Sequence, residues 1–458
     1  MIVSDRSIRR LSTSQALGYS LGNFGKNTLW NTIEFSFLFF LTEITGFDPA
    51  TAGMIIVCAM VCDALLLPCI GYFADTVRTR WGKYGPFLLL GSPLCGLCFV
   101  GLFAVPLWSE HVSPVLMMVF LFLFRLSHTL VDVPHNAMIA RISSSSHERT
   151  KLSGMRFFFS SIASIAIASS LAVITHAPNG PKKEHDFFNF SIVVSIVAVI
   201  SLWISWWSVR HSEIDAATPP PQLRQSFFPL VTLFKNRAFL VMLAVVFVTG
   251  LTTPVFTKLL LYYGKYALES ERWGAHALTA FAIGSSIAVW AWISLAGRWE
   301  KALTLQTAHI LVAAGSLGFF VLAPRTGLQL LMTAALIGAA AAGAYMLIWA
   351  MASDVVDNNE WKTGVRLEAS IFAVLILAMK IAIGLGSGLV GAMLGLASVV
   401  PGGEQLPTAL HALRMIMCGI PMLGSLLIVL ILSAYRITHQ HHAAALECLS
   451  ARKQLAHN

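Results

Sequence analysis

The sequence predicts an all-α integral membrane protein with twelve transmembrane helices arranged as two groups of six. Three observations predict it. Of 458 residues, 56% are hydrophobic and only 12% charged, with a mean hydropathy of +0.73, whereas soluble domains carry about 25% charged residues. Twelve apolar stretches each reach the ~20 residues needed to cross a bilayer core. The Lys and Arg residues gather in alternate loops between those stretches, as positive-inside topology requires.

The spans follow in order. Span 1 (16–43) begins after a basic, polar segment, Met1 to Gln15, that has no apolar run and no signal-peptide character. Spans 2 (51–74) and 3 (84–107) flank a charged loop. Span 4 (113–140) carries Arg125 and Asp132. Span 5 (152–176) follows Arg149 and Lys151 and carries Arg156. Span 6 (187–209) ends in Trp203, Trp206 and Trp207, an interfacial belt. Span 7 (237–263) contains Thr252-Thr253-Pro254, which fits either a cavity lining or a kink satisfied by neighbouring hydroxyls. Spans 8 (274–297), 9 (301–323) and 10 (327–352) are plainly apolar. Span 11 (366–398) carries Gly384, Gly386, Gly388, Gly391 and Gly395, small residues that permit close helix packing. Span 12 (409–436) precedes a tail with His439, His441 and His442, read as solvated rather than metal-binding.

An even span count puts both termini on one side. With that side in the cytoplasm, 20 Lys and Arg fall inside and five outside, with six within spans, which orients the chain with cytoplasmic termini. The segment 210–236, with Pro219-Pro220-Pro221, separates the spans six and six. The expected organisation is a 1–15 tail, a 16–209 half, the 210–236 linker, a 237–436 half and a 437–458 tail. The net charge of +9 is thereby explained by topology and not by nucleic acid. The seven cysteines show no zinc spacing and no disulfide framework, and Cys95-x-x-Cys98 lies mid-span.

Five charged side chains, Lys26, Glu34, Asp63, Arg125 and Asp132, interrupt the first four spans. Each costs about 2.5–3.5 kcal/mol at mid-bilayer on insertion scales. They either build a polar route through the protein or pair to hold the bundle. Two six-helix halves joined by a cytoplasmic linker is the layout of the major facilitator fold, with its site between the halves. A membrane enzyme is the alternative with that many spans, but no nucleophile–base pair or metal motif supports one.

Four stretches carry a closer resemblance: Gly18-Tyr19-Ser20-Leu21-Gly22-Asn23-Phe24-Gly25-Lys26-Asn27; Asp75 through Pro86 with Arg78, Arg80 and Lys83; Asp132-Val133-Pro134-His135-Asn136-Ala137; and Trp349 through Arg366, with Lys380 beyond. Tyr262-Tyr263-Gly264-Lys265-Tyr266 also fits. Together these resemble the glycoside–pentoside–hexuronide:cation symporter family, the melibiose-permease relatives among major facilitators, over nearly the whole chain. The resemblance implies a secondary transporter of a small solute, not an enzyme, multi-pass in a bacterial inner membrane, monomeric, with no cofactor beyond a coupling ion. Lysolipid transporters share the pattern, so the resemblance leaves the substrate open.

The resemblance implies a cation site at Asp63 on span 2 and Thr129 on span 4, but Leu66 and Leu67 replace its other polar groups. One carboxylate and one hydroxyl are too few oxygens for sodium. Arg125 stands where relatives carry a small residue, and Arg125, Thr129 and Asp132 share one helix face. The guanidinium is therefore expected to replace the sodium ion, paired with Asp63 or Asp132, leaving proton coupling through Asp63, Asp132 or Glu34, or no coupling. The structural alternative is a buried ion pair. The implied substrate site is Lys26, Asn27, Asp132, Asn136, Arg156 and Lys380. Asn27 replaces an acid and Asn136 a sugar-stacking Trp, so the surplus cations point to an anionic solute: a uronide, a sulfonated or phosphorylated sugar, or a lysolipid head group. Lys258 also lies on span 7. The charges Asp75, Arg78, Arg80, Lys83, Asp354, Asp357, Glu360 and Arg366 are expected at the inner surface, pairing across the halves as a gate or serving topology and helix capping. A non-transporting sensor on the same fold is the rival from another class.

Overall fold

The computed structural model describes residues 11–77, 79–108, 112–142, 146–174, 183–210, 233–364, 367–435 and 437, with isolated positions (444, 447 and 448) in the tail. Among them all regular structure is helical, apart from a lone bridge between Thr79 and Gly82. The helices are α1 (Thr13–Phe39), α2 (Pro49–Thr76), α3 (Gly85–Leu89), α4 (Gly91–Trp108), α5 (Pro114–Ile142), α6 (Ser146–Ile174) and α7 (Lys183–Val209). There follow α8 (Arg237–Ala267), α9 (Glu271–Ala296), α10 (Lys301–Leu322), α11 (Gly327–Thr363), α12 (Glu368–Leu396) and α13 (Pro407–Leu432).

Among the described residues, eleven stretches are long and apolar enough to cross a membrane. The long helix outside that set is α1, which carries Asn23, Lys26, Asn27, Asn31 and Glu34. The expected span 3 is divided between α3 and α4 at Leu90. The expected span 10 stops too early: α11 continues to Thr363, so Asp354, Asp357 and Glu360 stand on its last turns and not in a loop. No Gly or Pro interrupts that stretch until Gly364, whose φ of +73° closes the helix.

Local chemistry sets the helix ends. Ser12 and Gln15 form a reciprocal capping box on α1, and Thr326 with Gln329 does the same on α11. Past Phe39, α1 continues as a π-helical turn, Phe40–Ile44. The Asp48 carboxylate accepts from the amides of Ala50 and Thr51 at the start of α2, and bonds from Thr51 hold its carboxyl below the usual range.

The chain divides into two compact units, residues 1–47 with 58–221, and residues 48–57 with 222–458. In the first, Phe40, Phe99, Phe103, Phe124 and Phe187 interlock with ring centroids 4.9–5.2 Å apart, tying α1, α4, α5 and α7. The Trp belt of α7 also serves packing: Trp203 donates to the Leu89 carbonyl at 3.1 Å and Trp206 to that of Trp81 at 3.3 Å.

In the second unit, α9 and α11 cross at two glycines. A Cβ on Gly338 would stand 2.2 Å from the Phe281 carbonyl oxygen, and one on Gly284 2.2 Å from that of Ala335. Helices in lipid associate through such close packing because no water is released between them. The Thr252 hydroxyl donates to the Val248 carbonyl while α8 runs unbroken through Pro254. The seven cysteines are all unpaired.

Overpacking a close contact typically costs about 1–3 kcal/mol. Gly338→Leu should therefore lower the melting temperature by several degrees. Gly318→Ala, with nothing within 4 Å of the added Cβ, should leave it unchanged. Melting of the two purified variants in detergent checks this.

Candidate functional site

The first unit brings most of the expected residues onto one seam, formed by α1 and α5 with contributions from α2 and α6. On α1 the helical repeat places Asn23, Lys26, Asn27, Trp30 and Glu34 on one side. On α5 the matching residues are Arg125, His128, Thr129, Asp132 and Asn136.

At one end lies a cationic cluster. Lys26 is 4% exposed. Its ammonium donates to Asp132 Oδ1 at 2.5 Å and to Asn136 Oδ1 at 2.7 Å. The Arg156 guanidinium, from α6, donates to the same Asn136 oxygen and to Asn23 Oδ1 at 3.3 Å. One amide oxygen is thus held between two cations. Among the described residues, no carboxylate lies within ion-pair distance of Arg156, and its buried Nε has no hydrogen-bond partner. Two cations and one carboxylate leave the cluster one positive charge in surplus.

Tyr19 and His135 support this end. The Tyr19 hydroxyl donates to the His135 carbonyl at 2.7 Å, and the two rings stack with centroids 4.8 Å apart. His135 Nε2 faces the Tyr19 carbonyl at 3.3 Å and Ser205 Oγ at 3.1 Å. The Arg156 guanidinium lies over the Tyr19 ring, 5.9 Å from its centroid.

At the other end, Arg125 Nη2 pairs with Glu34 Oε1 at 3.2 Å, and the guanidinium lies 4.8 Å from the Trp30 ring centroid. This corrects the expected partner of Arg125: Glu34, not Asp63 or Asp132, is its ion-pair carboxylate. Asp132 is engaged by Lys26, and Asp63 Oδ1 accepts from the Thr129 hydroxyl at 2.6 Å, with both residues 1% exposed. Arg125, Thr129 and Asp132 lie along α5, and the partner of Arg125 is set by how α1 stands against α5. Between the two ends, His128 Nε2 faces the Lys26 carbonyl at 3.1 Å and its ring is 5.7 Å from that of Trp30.

Four contributors were missed from sequence: Asn23, Trp30, Asn31 and His128. Asn31 donates to Ser164 Oγ at 3.0 Å, joining α1 to α6. For the three on α1 the signal is the run of polar and aromatic side chains at Asn23, Lys26, Asn27, Trp30, Asn31 and Glu34; His128 has none. Asn27 donates to the Asn23 carbonyl of its own helix at 2.7 Å.

The remaining expected residues lie elsewhere. Lys380, partly buried, is on α12 of the second unit, as is buried Lys258 on α8. Asp354 accepts from Lys301 at 2.7 and 2.8 Å within that unit. Asp357 and Glu360 are on the same helix, and Asn359 accepts from Asn236 at 3.4 Å. Arg80 and Lys83 lie over the rings of Trp81 and Tyr84. Arg78, Arg366 and the Asp75 side chain lie outside the described residues, as do the histidines of the tail.

Among the described residues, twelve long helices, eleven of them with stretches apolar enough to cross a bilayer, are the build of a multi-pass membrane protein. Residues 18–439 match the family model described as "MFS/sugar transport protein", and the chain belongs to that family. It is 24% identical to the glucuronide carrier protein homolog of Escherichia coli strain K12, covering 92% of this chain and 92% of the relative. It is 23% identical to the isoprimeverose transporter of Lactiplantibacillus pentosus, over 93% of this chain and 88% of the relative. Among solved structures, the D-xylose-proton symporter matches with a TM-score of 0.61 at 13% identity, covering 91% of this chain and 95% of that one, which establishes the fold. The chain is a transporter and not an enzyme, and its relatives place it in the bacterial inner membrane.

Removing one partner of a buried ion pair costs about 3–5 kcal/mol, whereas replacing both by apolar residues is often neutral. Glu34→Ala should therefore sharply lower the melting temperature, and Glu34→Leu combined with Arg125→Met should recover most of the loss. Thermal unfolding of both variants checks the pairing.

Proposed function

We propose that the protein moves an anionic, sugar-like solute by alternating access, both termini cytoplasmic. The observation that carries this reading is the surplus positive charge at Lys26 and Arg156, with the Asn136 oxygen between them standing where a ligand's anionic oxygen would sit. A buried cation without a counter-charge is costly. A carboxylate, sulfonate or phosphate supplies that charge together with acceptor lone pairs, and a planar guanidinium binds such groups in a two-pronged fashion. The name of one relative, a glucuronide carrier, supports a sugar acid. Lys380 remains a proposed further contact.

Coupling is proposed to involve protons and not sodium. Asp63 with Thr129 offers one carboxylate and one hydroxyl, and Leu66 and Leu67 add no oxygen. Arg125 occupies the neighbouring face as a built-in cation, its charge balanced by Glu34. Glu34, Asp63 and Asp132 are the carboxylates that can carry a proton. Asp75, Arg78, Arg80, Lys83, Asp354, Asp357, Glu360 and Arg366 are proposed as gating charges, with the Lys301–Asp354 pair as a bond that gating would have to exchange.

A second reading, an amphiphile carrier, is favoured by one feature. A groove of about 470 Å3 between α8 and α12 is lined wholly by apolar side chains, among them Leu240, Phe247, Val374 and Ile381.

Charge-assisted hydrogen bonds contribute about 1.5–3 kcal/mol each. Arg156→Ala should therefore weaken binding of glucuronic acid at least tenfold while leaving sodium without effect on the wild-type affinity. Titration calorimetry with and without sodium checks both. Equal affinity in the variant contradicts the anionic reading, and a thermal shift by lysophosphatidylcholine alone favours the amphiphile reading. Replacing Arg125 by Gly together with Leu67→Asp should create sodium-dependent ligand binding. An unchanged cation response in that double variant counts against Arg125 as the built-in cation.

A further inference from the structure

We infer that His135 is a positioning residue for the cationic cluster: as a neutral ring bonded to Tyr19 and Ser205, it fixes the turn of α5 that presents Asn136 and Asp132 to Arg156 and Lys26. This rests on the anionic reading above and names the group that holds the cluster in its acid-selecting arrangement.

Tyr19 and His135 bind each other twice. The Tyr19 hydroxyl donates to the His135 carbonyl at 2.7 Å, and His135 Nε2 lies 3.3 Å from the Tyr19 carbonyl, with the two rings stacked. Ser205 fixes the direction of the second bond. Its hydroxyl proton goes to the Tyr19 carbonyl at 3.0 Å, so toward His135 Nε2, 3.1 Å away, Ser205 Oγ can only accept. The Tyr19 carbonyl also only accepts, and Nε2 therefore carries the ring hydrogen. Nδ1 is buried and has no hydrogen-bond partner. A second proton there would be a buried donor without an acceptor on a newly charged ring, which is strongly disfavoured. His135 is thus held as the neutral tautomer with hydrogen on Nε2.

This turn of α5 needs holding. Pro134 lies inside the helix and has no N–H, so the Leu130 carbonyl loses its ladder partner and α5 can bend just before His135. Asp132 and Asn136 stand on either side of that break. The peptide unit whose carbonyl Tyr19 holds leads directly into Asn136, whose Oδ1 accepts from Lys26 at 2.7 Å and from Arg156. The same Tyr19 ring lies under the Arg156 guanidinium. Releasing the lock would let the shared acceptor move away from both cations. Gly22 makes room for the lock, since a Cβ there would stand 2.6 Å from His135 Nε2 and 2.7 Å from Ser205 Oγ.

Burial separates the lock from the groups it positions. Tyr19, His135 and Ser205 are each 0% exposed, whereas Asp132, Asn136 and Arg156 are only partly buried. The locking residues therefore stand behind the cluster and act on a solute through it, without touching the solute themselves.

The test compares binding of glucuronic acid and glucuronamide, its uncharged counterpart, to the full-length purified protein by calorimetry. The wild type should prefer the acid about tenfold or more, as one charge-assisted hydrogen bond allows. His135→Leu, which removes the Nε2 donor, should cut that preference to about threefold or less while leaving glucuronamide affinity within about threefold of wild type. His135→Gln, whose side-chain amide is a neutral N–H donor, should restore the preference. Tyr19→Phe, which keeps the ring and removes the other bond, should lower it as His135→Leu does, and it decides the matter if the leucine variant does not fold. A His135→Leu or Tyr19→Phe variant that keeps the full preference, even with a lower melting temperature, shows that the pair is packing alone and overturns the inference. A glutamine variant that behaves like the leucine variant overturns the role of the Nε2 donor. Equal binding of acid and amide to the wild type defeats the anionic reading itself, and this inference with it.

Discussion

One amide oxygen shared by two cations, buried Lys26 and partly buried Arg156, organises the first unit. Asn136 Oδ1 accepts from both Lys26 and Arg156, and the only charge near enough to pair with Lys26 among the described residues is Asp132. A cation in a low-dielectric interior needs a counter-charge or dense hydrogen bonding. Here, among the described residues, Asp132 supplies one carboxylate and Asn136 and Asn23 supply amide oxygens. The same need dictates the surroundings: Asn23 and Tyr19 face the cluster from α1, and the stacked His135 fixes their relation to α5.

The rest of the unit holds α1 against α5 so that these groups meet. Glu34 and Arg125 bridge the two helices at one end of the seam and Lys26 and Asp132 at the other, while the phenylalanine cluster locks the adjoining turns. Side chains therefore carry much of the α1–α5 contact. α1 falls outside the set of apolar spans because one of its faces serves the seam, while the other faces α6 and α7 through residues such as Gly25 and Asn31. Breaking either bridge should loosen the seam between α1 and α5.

Much of this was legible in the sequence. Hydropathy located the long helices, and the spacing of Arg125, Thr129 and Asp132 placed them on one face. Lys26, Asp132, Asn136 and Arg156, expected from the resemblance to share one site, meet in one cluster. The partner of Arg125 was not legible, because a helix face specifies direction but not which neighbouring turn it meets. Trp30 and His128 were not legible because aromatic residues in an apolar helix look like packing until the Arg125 guanidinium is found against the Trp30 ring. The length of α11 was also missed: the charges after Met351 suggested a loop, although nothing before Gly364 breaks a helix.

The central claim is that net positive charge at Lys26 and Arg156 selects an acid. Its most direct test compares glucuronic acid with glucuronamide, which keeps the ring and removes the charge, by calorimetry on the purified protein. The account predicts that the acid binds at least tenfold more tightly, equivalent to about 1.4 kcal/mol, and that added salt narrows the difference. Equal binding of acid and amide, or tighter binding of the amide, would contradict it.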